Sequence, residues 1–130
     1  MVVDEAWYLM RNPDSADFLV DLAKRARKYY LGLTTITQDV EDFLVTERGK
    51  EIISNSSIQI LLKQAPSSID LLAQEFHLSE GEQRLLLSEG VGEGLFFAGN
   101  THVAMRVVAA PYEHQLITSS PQEILARQSV

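Results

Sequence analysis

The sequence predicts an α/β fold, a mostly parallel sheet flanked by helices with an antiparallel hairpin near the C-terminus. Three observations predict it. Met1-Val2-Val3 reads as the end of a buried strand, a helical run follows, and the β-branched stretch LGLTTIT at 31–37 comes next. That strand–helix–strand rhythm belongs to parallel sheets with crossover helices. IQILLK at 58–63 is a third apolar strand without clean alternation, which suits a strand covered on both faces. Finally, Gly99-Asn100 separates two strand-like arms, 94–98 and 101–110, as a two-residue turn does in an antiparallel hairpin.

The elements follow in order. Asn12-Pro13-Asp14 is a turn that opens a helix, with Asp14 or Ser15 as the expected cap. Phe18, Leu19, Leu22, Ala26 and Tyr29 recur at helical spacing, which predicts about four turns. Tyr29-Tyr30 reads as core and helix end. Residues 39–53 are expected to be helical with a break at Gly49. Pro66-Ser67-Ser68 precedes a helix carrying Ile69, Leu72, Ala73 and Phe76. Ser79-x-x-Glu82 is a capping box for a helix with Leu85, Leu86 and Leu87, and Gly90 is its expected stop. In the second hairpin arm Val103, Met105 and Val107 alternate with His102, Ala104 and Arg106, and the first set is expected to face the core. Beyond Pro111 the signals weaken, with a last helix expected over 121–128.

Composition sets the bounds. At 130 residues, 45% apolar and 22% charged, the chain suits one domain with its own core. No apolar run approaches the roughly 20 residues of a membrane-spanning helix, and Asp4 and Glu5 interrupt anything resembling a signal peptide. The absence of cysteine excludes disulfides and thiolate-bound zinc. A net charge of −7 argues against a general nucleic-acid-binding surface. The basic cluster Lys24, Arg25, Arg27 and Lys28 reads either as a phosphate contact or as a solvated helix face. His77, His102 and His114 lack metal-ligand spacing, and Ser119-Ser120 has no neighbouring base for nucleophilic work.

Two polar strand ends carry the chemistry. In an open α/β sheet, ligands bind at the carboxyl ends of the strands. Asp4 and Glu5 end the first strand and leave it in different directions, so one can hold a hydrated magnesium ion while the other activates water. The plainer reading is two acids that end a strand in solvent. Thr37-Gln38 ends the next strand, and a glutamine amide there can sense a terminal phosphate or position a water. Together the two ends place three polar side chains on one sheet edge. Trp7 reads as a packing residue, or as one near a subunit boundary in an oligomer.

The run MVVDEAW at 1–7 resembles the Walker B motif of the ATPases of type IV secretion and conjugative DNA transfer (TraC- and TrbE-like). TTITQDVEDFL at 34–44, RGKEIISNSSIQILLKQ at 48–64, FHLSEGEQRLL at 76–86, the stretch from Gly92-Glu93 to Glu113, and LITSSP at 116–121 are similar to that family's segments, in its order. The resemblance implies the C-terminal part of a RecA-like P-loop NTPase domain over 1–130, of the FtsK–HerA group of hexameric motors, starting at Walker B. It implies Asp4 as the magnesium-coordinating acid, Glu5 as the catalytic glutamate, and Gln38 near the γ-phosphate of ATP. Arg48 and Lys50 fall where such motors present basic residues to a neighbour's nucleotide, unless they form a plain surface turn. The departure is the missing Gly-x-x-x-x-Gly-Lys-Ser/Thr loop, which cradles the phosphates.

The resemblance implies a role as part of an ATP-hydrolysing motor that energises type IV secretion or conjugative transfer, with ATP and magnesium as the full-length parent's cofactors. The 130 residues alone are expected to be inactive and to bind neither tightly. Expected partners are further copies of the chain, as a hexamer in the parent, and other secretion-channel components; direct DNA contact is left open. The expected location is the cytoplasm, peripheral to the bacterial inner membrane through partners. The competing reading is a non-catalytic interaction module derived from a RecA-like domain. A DExD-type helicase half fits less well, because the segments after the acids do not resemble helicase motifs.

Overall fold

A computed structural model of the chain describes residues 1–38, 40–99 and 101–128. Strand β1 (Val2–Val3) runs parallel to β2 (Thr34–Thr35). The ladder is Thr34 N–H to Met1 O at 3.0 Å, Ile36 N–H to Val3 O at 2.8 Å and Ala6 N–H to Ile36 O at 2.8 Å. Only two residues of the stretch 31–37 pair as strand. Between the strands lie helix α1 (Trp7–Met10), helix α2 (Pro13–Arg25) and a 3₁₀ turn over Ala26–Tyr29.

The cap of α2 is Asn12, not Asp14 or Ser15. Its side-chain oxygen accepts from the N–H groups of Asp14 (2.9 Å) and Ser15 (3.3 Å). Pro13 takes the first helical position, where its missing N–H costs nothing. The helical spacing places Leu19 and Val20 in the core, but Phe18 and Tyr29 are exposed. Tyr30 ends the 3₁₀ turn in the left-handed region (φ 54) with its ring fully in solvent, so it is a helix end and not core.

Residues 40–54 form two helices, α3 (Val40–Leu44) and α4 (Glu47–Ser54). The break falls before Thr46, not at Gly49. Thr46 caps α4, its hydroxyl accepting from Gly49 N–H at 3.0 Å, and Gly49 lies buried within that helix. Asp39, the expected start of this stretch, lies outside the described residues.

Strand β3 (Ile58–Leu62) corrects the expected third parallel strand. It pairs antiparallel with β4 (Glu93–Ala98), which pairs antiparallel with β5 (Thr101–Arg106), giving a second sheet of order β3-β4-β5. Nor is β3 covered on both faces. Leu61 is buried while Ile58, Ile60 and Leu62 are about half exposed or more, at 59%, 51% and 50%. Among the described residues, parallel pairing is confined to β1 and β2. The α/β class holds.

Helices α5 (Ile69–Phe76) and α6 (Glu80–Ser88) cover one face of the second sheet. Leu72, Leu78 and Leu86 pack there on Leu61, Leu95 and Phe97. The capping box of α6 is formed: the Ser79 hydroxyl accepts from Glu82 N–H, and the Glu82 carboxylate accepts from Ser79 N–H at 2.8 Å. Such a cap contributes about 1 kcal/mol. A second cluster gathers Ala6, Leu19, Val20, Phe43 and Ile52 around the end of β1, and Ile53 packs against both clusters.

The hairpin forms, with Gly99 at φ 58, while Asn100 lies outside the described residues. By register its facing differs from the expectation, although Met105 of the expected set is the one half-buried residue of β5. The register pairs His102 with Phe97 and Ala104 with Leu95, so these lie on the face of the sheet that carries the buried Phe97 and Leu95, while remaining exposed themselves. Val103 lies on the other face and is 55% exposed. Helices α7 (Pro111–Ile117) and α8 (Pro121–Gln128) complete the chain; α8 was expected and α7 was not.

Candidate functional site

The parallel pairing of β1 and β2 puts their carboxyl ends side by side. Glu5 follows β1 with φ 50, in a region where non-glycine residues cost about 1–2 kcal/mol. Asp4 braces that turn, its Oδ1 accepting from Glu5 N–H at 2.9 Å. The Glu5 side chain then meets Gln38 beyond β2. Gln38 Nε2 donates to Glu5 Oε1 at 2.5 Å, and Trp7 Nε1 donates to Glu5 Oε2 at 2.7 Å.

Around this triple contact lies an open cleft of about 510 Å³, lined by Glu5, Trp7, Gln38, Val40, Glu41, Ser67 and Ser68. The lining combines acidic, hydroxyl and amide groups with the apolar Trp7 and Val40, and none of these residues is basic. Asp4 is exposed at the same strand end. Among the described residues no group of three or more metal-ligating side chains exists. A single carboxylate nevertheless suits magnesium, which keeps several waters and takes one or two protein carboxylates together with substrate phosphates.

The sheet edge brings Glu5 and Gln38 into contact, while Asp4 stays exposed at the same strand end and does not line the cleft. Arg48 lies elsewhere. On α4 its guanidinium is paired with Asp17 of α2, Nε to Oδ1 at 2.5 Å and Nη2 to Oδ2 at 3.1 Å. Lys50 sits 3.7 Å from Glu47 on the same helix. Lys24 and Arg25 of the basic cluster are partnered too, with Glu51 (2.7 Å) and Asp21 (3.4 Å), which favours a solvated helix face.

A protein-family model for the TraG P-loop domain matches residues 1–93. The chain belongs to that family. A solved structure of VirB4 from Thermoanaerobacter pseudethanolicus is also similar, with a TM-score of 0.79 and 40% identity. That likeness covers 86% of this chain and 31% of the VirB4 chain, so the present residues span under a third of that protein's length. No curated protein matches. The resemblance to type IV secretion and conjugation ATPases thus stands on a family match and a structural one.

In this TraG P-loop domain, sequence reasoning missed five of the residues that line the cleft, Trp7, Val40, Glu41, Ser67 and Ser68. Trp7 reads as packing from sequence because nothing there shows that a positive φ at Glu5 turns the carboxylate back onto the indole two residues on. Ser67 and Ser68 read as a helix start. Ser68 does occupy the cap position of α5, but its side chain makes no cap hydrogen bond and is nearly buried beside the cleft.

Proposed function

We propose that this chain supplies the water-activating side of a nucleotide site in a type IV secretion ATPase. The observation that carries the reading is the Gln38–Glu5 hydrogen bond across the carboxyl ends of two parallel strands. Glu5 accepts the proton of the attacking water on its carboxylate. Gln38, whose amide both donates and accepts, holds that carboxylate or a phosphate oxygen. Asp4 would hold magnesium through its exposed carboxylate, and the bound ion would neutralise charge on the transferring phosphoryl group. Arg48 reaches a neighbouring subunit's nucleotide once it leaves Asp17, offsetting charge there.

The same reading places the phosphate-binding loop and its lysine outside these 130 residues, in a longer protein that works as a hexamer. That protein is cytoplasmic and meets the inner membrane through other secretion components. The cleft's lack of any basic side chain supports this division of labour, since phosphates need cationic or backbone donors. No helix among the described residues is long and apolar enough to cross a membrane.

Purified alone, the 130 residues should not turn over ATP. In the longest natural reading frame carrying them, Glu5→Gln should lower hydrolysis about 10²–10⁴-fold. Turnover by the 130 residues that Glu5→Gln abolishes would overturn the division, and full activity of Glu5→Gln in the longer protein would overturn the role of Glu5. The second reading, a non-catalytic interaction module, is favoured by one observation, the half-exposed apolar face of β3. It predicts binding to secretion components that survives Glu5→Gln and Gln38→Ala unchanged.

A further inference from the structure

Both oxygens of the Glu5 carboxylate are held, and the two holders differ in kind. Gln38 is exposed, on an irregular segment just past β2. Trp7 is half-buried on α1 and packs against the Ala6, Leu19, Val20, Phe43 and Ile52 cluster. Its ring is braced twice more, by the Arg11 guanidinium 5.2 Å from its centroid and by Tyr8 edge-on at 5.9 Å. An indole held on several sides has little freedom, whereas an exposed glutamine exchanges acceptors readily.

The chemistry needs such an asymmetry. A base that takes a proton from water must present one oxygen in a fixed direction, and a glutamate side chain has three torsions to fix. Each carboxylate oxygen can accept more than one hydrogen bond, but two permanent donors would lower the basicity that the proton transfer needs. Holding neither would let the carboxylate wander, and misplacement by about 1 Å can cost roughly 100-fold in rate.

We propose that Trp7 is a positioning residue for Glu5. Its indole N–H is the fixed support at Oε2, and Gln38 is the exchangeable one, releasing Oε1 toward water when its amide takes another acceptor. This rests on the reading of Glu5 as the water-activating acid. The backbone supports the same assignment: the strained φ of Glu5 is what brings its carboxylate back to the indole two residues on.

Trp7 is the single tryptophan of the chain, so its indole ¹H–¹⁵N resonance is one line in the spectrum of the intact 130 residues. That line should lie at a hydrogen-bonded position and exchange slowly with water. Glu5→Ala should shift it and speed its exchange by about tenfold or more, as expected for loss of a charge-assisted bond. Gln38→Ala should leave it in place. An indole line indifferent to Glu5→Ala, or moved equally by both variants, would overturn the proposal.

The rate arm uses the longest reading frame carrying these residues and the variant Trp7→Phe, which keeps an aromatic ring and removes the donor. The expected result is a fall in kcat of about 10- to 100-fold with KM for ATP nearly unchanged. Normal kcat in Trp7→Phe beside an inactive Glu5→Gln overturns the positioning role and leaves the role of Glu5 standing. Normal kcat in Glu5→Gln removes the role of Glu5 itself. If Trp7→Phe unfolds, Trp7→His, which retains a ring N–H, replaces it: partial recovery of kcat supports the proposal, and a folded but inactive variant opposes it.

Discussion

Arg48 and Asp17, 31 positions apart, meet in a two-point grip that ties α4 to α2. The hydrogen bond from Arg48 is the main reason the Asp17 carboxyl is held below its ordinary value. Both side chains are largely exposed, so the pair is worth little in stability. Its pH dependence has a definite sign. The contribution is fully present above the ordinary carboxylate value and is lost as pH falls through the depressed one. Asp17→Asn should therefore lower the melting temperature slightly at neutral pH and not at all at the acid limit. A ¹³C titration of the Asp17 carboxyl should show it ionising below the range of ordinary aspartates, and returning to that range in Arg48→Ala.

The buried Gly49 of α4 tests a different link, from backbone approach to packing. A methyl group there would collide with the carbonyl oxygen of Phe43, and that atom is backbone and cannot swing aside. The contact lets α4 fold back on α3 directly after the Thr46 cap. Gly49→Ala improves intrinsic helix propensity, which alone predicts stabilisation by about 1 kcal/mol. The collision should outweigh that, giving a net loss of about 1–3 kcal/mol in denaturant unfolding. A more stable Gly49→Ala would show that α3 and α4 are not packed this closely.

Local rules made part of this legible. The Ser79 capping box spans four residues, and the contact of Glu5 with Gln38 needed only two strands to run parallel. What failed was information carried by neighbours remote in sequence. Alternation in Thr101–Arg106 identifies two faces but not which one is covered. The more apolar Val103 points outward because Phe97 and Leu95, across the ladder, turn His102 and Ala104 toward α5 and α6. The same limit hid the antiparallel partner of β3, since the continuous apolar run Ile60-Leu61-Leu62 resembles a strand buried on both faces. It also hid the pairing of Arg48 with Asp17 and the use of Trp7.

Glu89, at the C-terminal cap of α6, is 4% exposed, and neither carboxylate oxygen has a hydrogen-bond partner among the described residues. Burial pushes its carboxyl above the ordinary value, and the nearby Glu93 carboxylate adds to the effect. The negative end of the helix dipole opposes the charge as well. For an acid raised in the folded state, the folded protein binds more protons than the unfolded one across the shifted window. Stability therefore falls as pH rises from the ordinary glutamate value through the raised one. Glu89→Gln, which keeps the shape and removes the charge, should raise the melting temperature above that window and flatten the pH dependence within it. An unchanged pH profile in Glu89→Gln would show that Glu89 is not the group responsible.

The outer face of the second sheet leads to the last prediction. Register aligns Ile60, Phe96 and Val103 in one row across the three strands, with Leu62, Gly94 and Met105 in the next. Ile58, Ile60, Leu62 and Val103 are each half exposed or more, so the side chains form a neighbouring apolar set and not scattered single residues. Contiguous apolar surface of this kind marks association or aggregation sites. The 130 residues alone should therefore self-associate as concentration rises, with sedimentation and light scattering both reporting it. Replacing Ile60 and Val103 together by threonine keeps β-branched side chains in both strands while removing apolar area. That double variant should stay folded and shift toward monomer. A parent chain that remains monomeric at high concentration would show that the exposed face does not associate by itself.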